Sequence, residues 1–126
     1  MLDYLLAGNV EVTASLLEEL AQSSDVRVRA RVAEHPNTPL PVLFKLSRDE
    51  SGEVRQSIAF SPRRTNSLLM RLAADENADV RYAIAEDVGA PLVILLQLAA
   101  DENPYVAARA LRSLATSAPP QAEAAA

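Results

Sequence analysis

The hexapeptide LAADEN stands at Leu72–Asn77 and again at Leu98–Asn103, 26 residues further on. Sliding the chain against itself by that interval extends the match far beyond the hexapeptide, and no gap is needed. Val28, Val54, Val80 and Val106 share one column, with Leu2 upstream at the same offset. Leu17, Leu43, Leu69 and Leu95 form a second column, and Leu20, Leu46, Leu72 and Leu98 a third. Leu16, Val42, Leu68 and Ile94 keep a fourth apolar. Val32, Ile58 and Ile84 continue a column from Leu6, and Ala33, Ala59 and Ala85 one from Ala7. A unit this short cannot cover its own apolar face, so a chain that repeats it must stack neighbours to bury that face on both sides.

Each unit reads as two short helices. Val42, Leu43 and Leu46 are spaced to share one helical face. Thr13, Thr38 and Thr65 are the expected N-caps of the first helices, with Pro39 or Pro91 in the first turn, where a missing N–H costs nothing. Second helices are expected to start after Asp25, Ser51, Asn77 and Asn103, with Pro104 at a first helical position. The PNTP and SPRRT stretches then turn the chain out of the helix. At about nine residues each, these helices are short enough for one of the pair to be 3₁₀.

Composition narrows the chemistry. With 49% apolar residues but only 4% aromatics, the chain is rich in Ala, Leu and Val, as packed helices are. The absence of cysteine removes disulfides, thiolate metal sites and Cys nucleophiles, and no cofactor is expected. The N-terminus MLDYLLAGNVEV lacks the basic start and long apolar run of a secretory signal, and no stretch approaches a membrane span, so a cytoplasmic chain is expected. A net charge of −5 disfavours a phosphate backbone as partner.

The units VRARVAEHPNTP (28–39), VRQSIAFSPRRT (54–65) and VRYAIAEDVGAP (80–91), each followed by a leucine-rich segment, resemble the leucine-rich repeat variant family, itself similar in plan to HEAT repeats. The resemblance covers residues 2–116 and implies an all-α solenoid, a right-handed α-α superhelix of alternating α and 3₁₀ helices. The chain departs from the pattern at Val88, where the other units have Pro36 and Pro62, and at Ala107, which stands in the arginine column. Val88 is expected to bend the superhelix locally, and Ala107 to mark a terminal cap.

Three groups of residues compete for a functional role. Asp49, Asp75 and Asp101 recur beside Glu50, Glu76 and Glu102, and such pairs can do acid–base chemistry or hold a metal. Arg55 and Arg81, however, follow Asp49 and Asp75 by six residues, with Arg29 in the same column. HEAT-like repeats are similar here, and the likeness implies a structural ladder in which each arginine fork bonds a carboxylate of its own or the adjacent unit. Asp101, with no arginine at 107, then bonds backwards to Arg81 or caps a turn. Arg63–Arg64 reads as a solvated loop. His35 is the only histidine, with neither second ligand nor nucleophile partner, and reads as a loop residue before Pro36. No phosphate-binding glycine loop or metal site is seen. The third group is apolar. Glu18 is followed in its column by Phe44, Met70 and Leu96, either gap-fillers or a ridge for a partner. Phe60 breaks a column of Glu34, Glu86 and Arg112 and is the best single anchor, with Tyr82 and Tyr105 behind it.

The chain is therefore expected to be a solenoid over residues 1–116, of roughly four and a half units, followed by a disordered Ala/Pro tail at 117–126. It is expected to be a non-catalytic module that binds a protein through Phe60 and the Phe44–Met70–Leu96 ridge. The rivals are a HEAT-like nucleic-acid binder using the arginine columns and a regulatory subunit of an enzyme.

Overall fold

The computed structural model describes residues 1–117, and all the regular structure among them is helical. The helices are α1 (Leu2–Ala7), α2 (Ala14–Leu20), α3 (Val26–Glu34), α4 (Leu40–Leu46), α5 (Gly52–Ser57), α6 (Asn66–Ala73), α7 (Ala78–Ala85), α8 (Leu92–Ala99) and α9 (Pro104–Ser117). A single 3₁₀ turn, Ile58–Phe60, extends α5. First helices start at 14, 40, 66 and 92 and second helices at 26, 52, 78 and 104. The alternation of α with 3₁₀ that the resemblance implies is absent from the described residues, because both helices of every unit close α-type turns. Most are shorter than expected, six to nine residues, whereas α9 has 14. It ends at Ser117, one residue past the expected boundary; the rest of the expected tail lies outside the described residues.

The helices form two layers. In the second-helix layer α1 packs on α3, α3 on α5, α5 on α7 and α7 on α9; in the other, α6 packs on α8. The repeat columns supply the seam between the layers. Val28, Val54, Val80 and Val106 are all buried, as are Leu17, Leu43, Leu69 and Leu95, and Val32, Ile58 and Ile84 behind them. Ala7, Ala33, Ala59 and Ala85 are buried too, where a larger side chain would hold neighbouring helices apart. Leu2 departs from its column: it is exposed, because none of the described residues covers that face of α1. Arg31 on α3 secures α1 instead, its guanidinium 4.1 Å from the Tyr4 ring centroid and its Nη2 donating to the Tyr4 hydroxyl at 2.9 Å.

Few glycines are needed because the turns never enter left-handed backbone: no described residue has a positive φ. Side chains close the turns instead. Before the second helices, Ser23 Oγ, Asp49 Oδ1, Asp75 Oδ1 and Asp101 Oδ1 each accept from the backbone N–H two residues on. After them, Asn9, His35, Ser61 and Asp87 do the same toward Glu11, Asn37, Arg63 and Gly89. The turn at Val88 therefore keeps the course of its counterparts at 36–37 and 62–63, with Asp87 doing the closing where proline is missing.

Capping follows the register strictly. Thr13 and Thr65 accept from the N–H three residues on and cap α2 and α6. Thr38 is no cap: Pro39 holds that position, one residue later, and buried Thr38 turns its Oγ1–H back to the Val32 carbonyl at 2.6 Å. Pro91 likewise holds the N-cap of α8 rather than its first turn. Asp25 and Asn77 cap α3 and α7, Asn103 accepts from the first N–H groups of α9, and Ser51 makes no side-chain cap.

Candidate functional site

The second helices begin beside the turns that precede them, which places each column arginine one helical turn inside the helix with its side chain reaching across to the next unit. Arg29 donates from Nε and Nη2 to Asp49 at 2.9 and 3.1 Å. Arg55 grips Asp75 in the same two-pronged way at 2.8 and 3.2 Å, and Arg81 grips Asp101 at 2.8 and 3.2 Å. The remaining nitrogen, Nη1, turns the other way and donates to the backbone carbonyl of Ser23, Asp49 or Asp75. Each arginine thus ties the turn before its own helix to the turn of the following unit. Residue 23, with serine in the aspartate column, receives only a carbonyl bond, and Ala107 carries no guanidinium, so the ladder runs from Ser23 to Asp101.

The ladder is dry. Arg55 and Asp75 side chains retain only 12% and 9% of their accessible surface, and the other two pairs are similar. In such surroundings a bidentate pair is held tightly and its members have little freedom to serve other chemistry. The side-chain hydrogen bond that Arg55 donates to Asp75 is the largest influence on Arg55 and holds its guanidinium above the ordinary arginine range. At Asp101, burial pushes the carboxyl up, but the Arg81 hydrogen bonds, the Asn103 N–H and the Arg81 charge outweigh it and leave the group below its ordinary value. A depressed folded-state value means stability that is present above the unfolded value of about 3.9 and is lost as pH falls through the folded one. The difference in melting temperature between the wild type and Asp101→Asn is therefore expected to be largest near neutrality and to shrink below about pH 4. A difference that stays constant through acidification would exclude the ionised pair.

Two loop residues differ from expectation. Arg64 is not simply solvated: its Nε donates to Asp87 Oδ2 at 2.8 Å, an inter-unit pair additional to the three of the ladder. Arg63 reaches the Thr38 carbonyl at 3.3 Å. His35 is buried, at 3% exposure, rather than a surface loop residue. Its Nδ1 accepts from Asn37 N–H at 3.0 Å, so Nε2 carries the proton and donates to the Asn9 carbonyl at 2.6 Å. The column Asn9–His35–Ser61–Asp87 was the signal for this role, since each member offers an acceptor to the N–H two residues on.

The apolar candidates do not form one surface. Phe60, at 58% exposure, lies at the end of the 3₁₀ turn in the second-helix layer. It borders a shallow depression with Arg64, Ala83, Glu86 and Val88 that no ridge residue lines. Phe44 and Tyr82 are half-buried and pack against the core. Tyr82 and exposed Tyr105 flank a second depression between α7 and α9. Met70 and Leu96 stand out from α6 and α8 at 55% and 53% exposure. Beside them are Leu92 and Val93, each 64% exposed, which sequence reasoning overlooked. Their signal in the sequence was weak, since Leu92 and Val93 replace Asn66 and Ser67 of the preceding unit but Leu40 and Pro41 hold the same columns one unit earlier. The consequence is α8, LVILLQLA, with apolar side chains on both its inward and its outward side.

Among the described residues no group of His, Cys, Asp or Glu is placed to hold a metal ion, and no helix is long and apolar enough to cross a membrane. Stacked helix pairs joined by an arginine–aspartate ladder define a helical-repeat protein. The leucine rich repeat variant family model matches residues 26–51, from α3 through the turn after α4, and over that stretch the chain is similar to a repeat of that family. No curated protein and no solved structure matches the chain.

Proposed function

We propose that this chain is a non-catalytic protein-interaction module, its units wound as a right-handed superhelix that presents the outward side of its first helices to a partner. The observation that carries this reading is α8. A surface helix of a repeat stack needs one apolar side, toward the second-helix layer; Leu92, Val93 and Leu96 add another that faces solvent. The arginine and aspartate columns favour no rival, because their polar atoms are spent on one another and on turn carbonyls.

The test is a quantitative capture of partners on the tagged chain and on a Leu92→Ser/Leu96→Ser variant. Both side chains are exposed, so the melting temperature should change little. Recovery of specific partners is expected to fall at least about tenfold, as for loss of a central apolar anchor. An unchanged set of partners on the folded variant would remove this face from consideration. The same comparison with Phe60→Ala, whose side chain lies in the other layer, is expected to leave recovery intact.

A further inference from the structure

Within that reading, we propose that the partner segment is an acidic amphipathic helix laid across α4, α6 and α8. The outward positions of the first helices change chemistry systematically from unit to unit. At one column they run Glu19, Lys45, Arg71, Gln97; at the neighbouring one, Glu18, Phe44, Met70, Leu96. The chain holds 17 acidic residues, yet Leu40–Leu46, Asn66–Ala73 and Leu92–Ala99 contain none. The outward sides of these three helices therefore carry apolar side chains, the uncharged polar Asn66, Ser67 and Gln97, and no charge but positive charge, in a chain whose net charge is −5.

The positive charges are unclaimed. Lys45 and Arg71 are exposed, and among the described residues neither forms an ion pair. That contrasts with Arg29, Arg55, Arg64 and Arg81, each locked on a carboxylate. Arg48 does not belong to the patch, because it lines the ladder groove with Glu50 and Glu76. The apolar area deepens toward α8 and the cations lie toward α4 and α6, so a complementary segment presents an apolar stripe bordered by Asp or Glu. Charge complementarity of this kind selects partners and speeds their encounter more than it adds affinity.

Geometry favours a helix of modest length. Three helices packed about 9 Å apart span on the order of 20 Å, which about 14 residues of α-helix cover. An anionic bilayer shares the required chemistry but not the shape. Exposed Glu18 and Glu19 on α2, and Glu50, Glu76 and Glu102 in the turns after α4, α6 and α8, rim the patch and would oppose a flat negative surface. A second copy fits poorly as well. Full antiparallel overlap of the three helices would set α6 against the α6 of the other copy, bringing Arg71 toward another Arg71.

The experiment is selection from a displayed library of helical peptides of about 14 residues, with randomised stripe and flanks, against the immobilised full chain. Counter-selection uses Leu92→Ser/Leu96→Ser. Retained peptides are expected to carry apolar residues at i, i+3, i+4 and i+7 with Asp or Glu beside them. Lys45→Glu/Arg71→Glu, which should melt as the wild type does, is expected to weaken a retained peptide at least about tenfold, and salt near 0.5 M should remove most of that difference. Retained peptides with no acidic bias, or with a basic one, would overturn the acidic partner and leave the interaction module standing. A library that yields nothing dependent on Leu92 and Leu96 would overturn both. Sedimentation with phosphatidylserine vesicles that is lost in Lys45→Glu/Arg71→Glu would reassign the face to lipid and also overturn the proposal.

Discussion

Replacing Arg55 with alanine is expected to be the most damaging single change to the ladder, costing about 3–5 kcal/mol, the usual loss when one member of a buried pair is removed. For a domain of this size that lowers the melting temperature on the order of 10–20 °C. The magnitude comes from what is left behind. Asp75 would keep its charge at 9% side-chain exposure with a single N–H, from Asn77, to bond it. The Asp49 carbonyl would lose the Nη1 donor that reaches it at 2.7 Å. Arg55 stands in the middle of the run, so its loss separates the Asp49 turn from the Asp75 turn and uncouples two units, where Arg29 or Arg81 would free an end. Arg55→Met combined with Asp75→Asn should recover a substantial part of the loss, because the variant no longer buries an unpaired charge, and a double-mutant cycle should give a coupling above about 1 kcal/mol. A change of less than about 2 °C in Arg55→Ala would mean that the stack does not depend on the ladder.

His35→Ala is the second large effect, expected at about 1–3 kcal/mol, because it empties a site where the residue is 3% exposed and takes the acceptor from the Asn37 N–H. The imidazole bridges two backbone groups: the Asn37 N–H, for which it is the acceptor at 3.0 Å, and the Asn9 carbonyl, one unit earlier, at 2.6 Å, which also accepts from the Val12 N–H at 3.1 Å. His35→Asn should recover roughly half, since an amide oxygen can close the turn as Asn9 does in its own unit, but the shorter side chain does not span to the preceding one. Thermal melts of the three proteins give the order: wild type, then Asn, then Ala. If Asn and Ala melt together, the turn bond is worth little and the inter-unit bond carries the effect; if Ala melts with the wild type, the histidine is not structural.

These two residues show how unevenly the sequence disclosed the molecule. The arginine and aspartate columns were visible, because repetition marks both. Which carboxylate each arginine takes was left open between its own unit and the next, and stacking decides it: Arg29 takes Asp49, 20 residues on, and the pattern repeats at Arg55 and Arg81. His35 was the opposite case. Read alone it was a histidine without a site, and only its column of turn-closing acceptors gives it a role.

The sequence by itself determined the repeat, the helix pairs and the core columns. Each rests on periodicity, and a side chain that recurs every 26 residues beside the same neighbours must meet the same environment each time. Tertiary structure decided what periodicity cannot carry. It placed Phe60 in one layer and Met70 and Leu96 in the other, because sequence columns order residues along the stack but do not say which candidates share a surface. It exposed Leu2, although Val28, Val54, Val80 and Val106 in the same column are buried. And it set Leu92, Val93 and Leu96 outward beside inward Ile94 and Leu95. A continuous apolar run hides that distinction, because its members look alike until packing fixes which of them face the core.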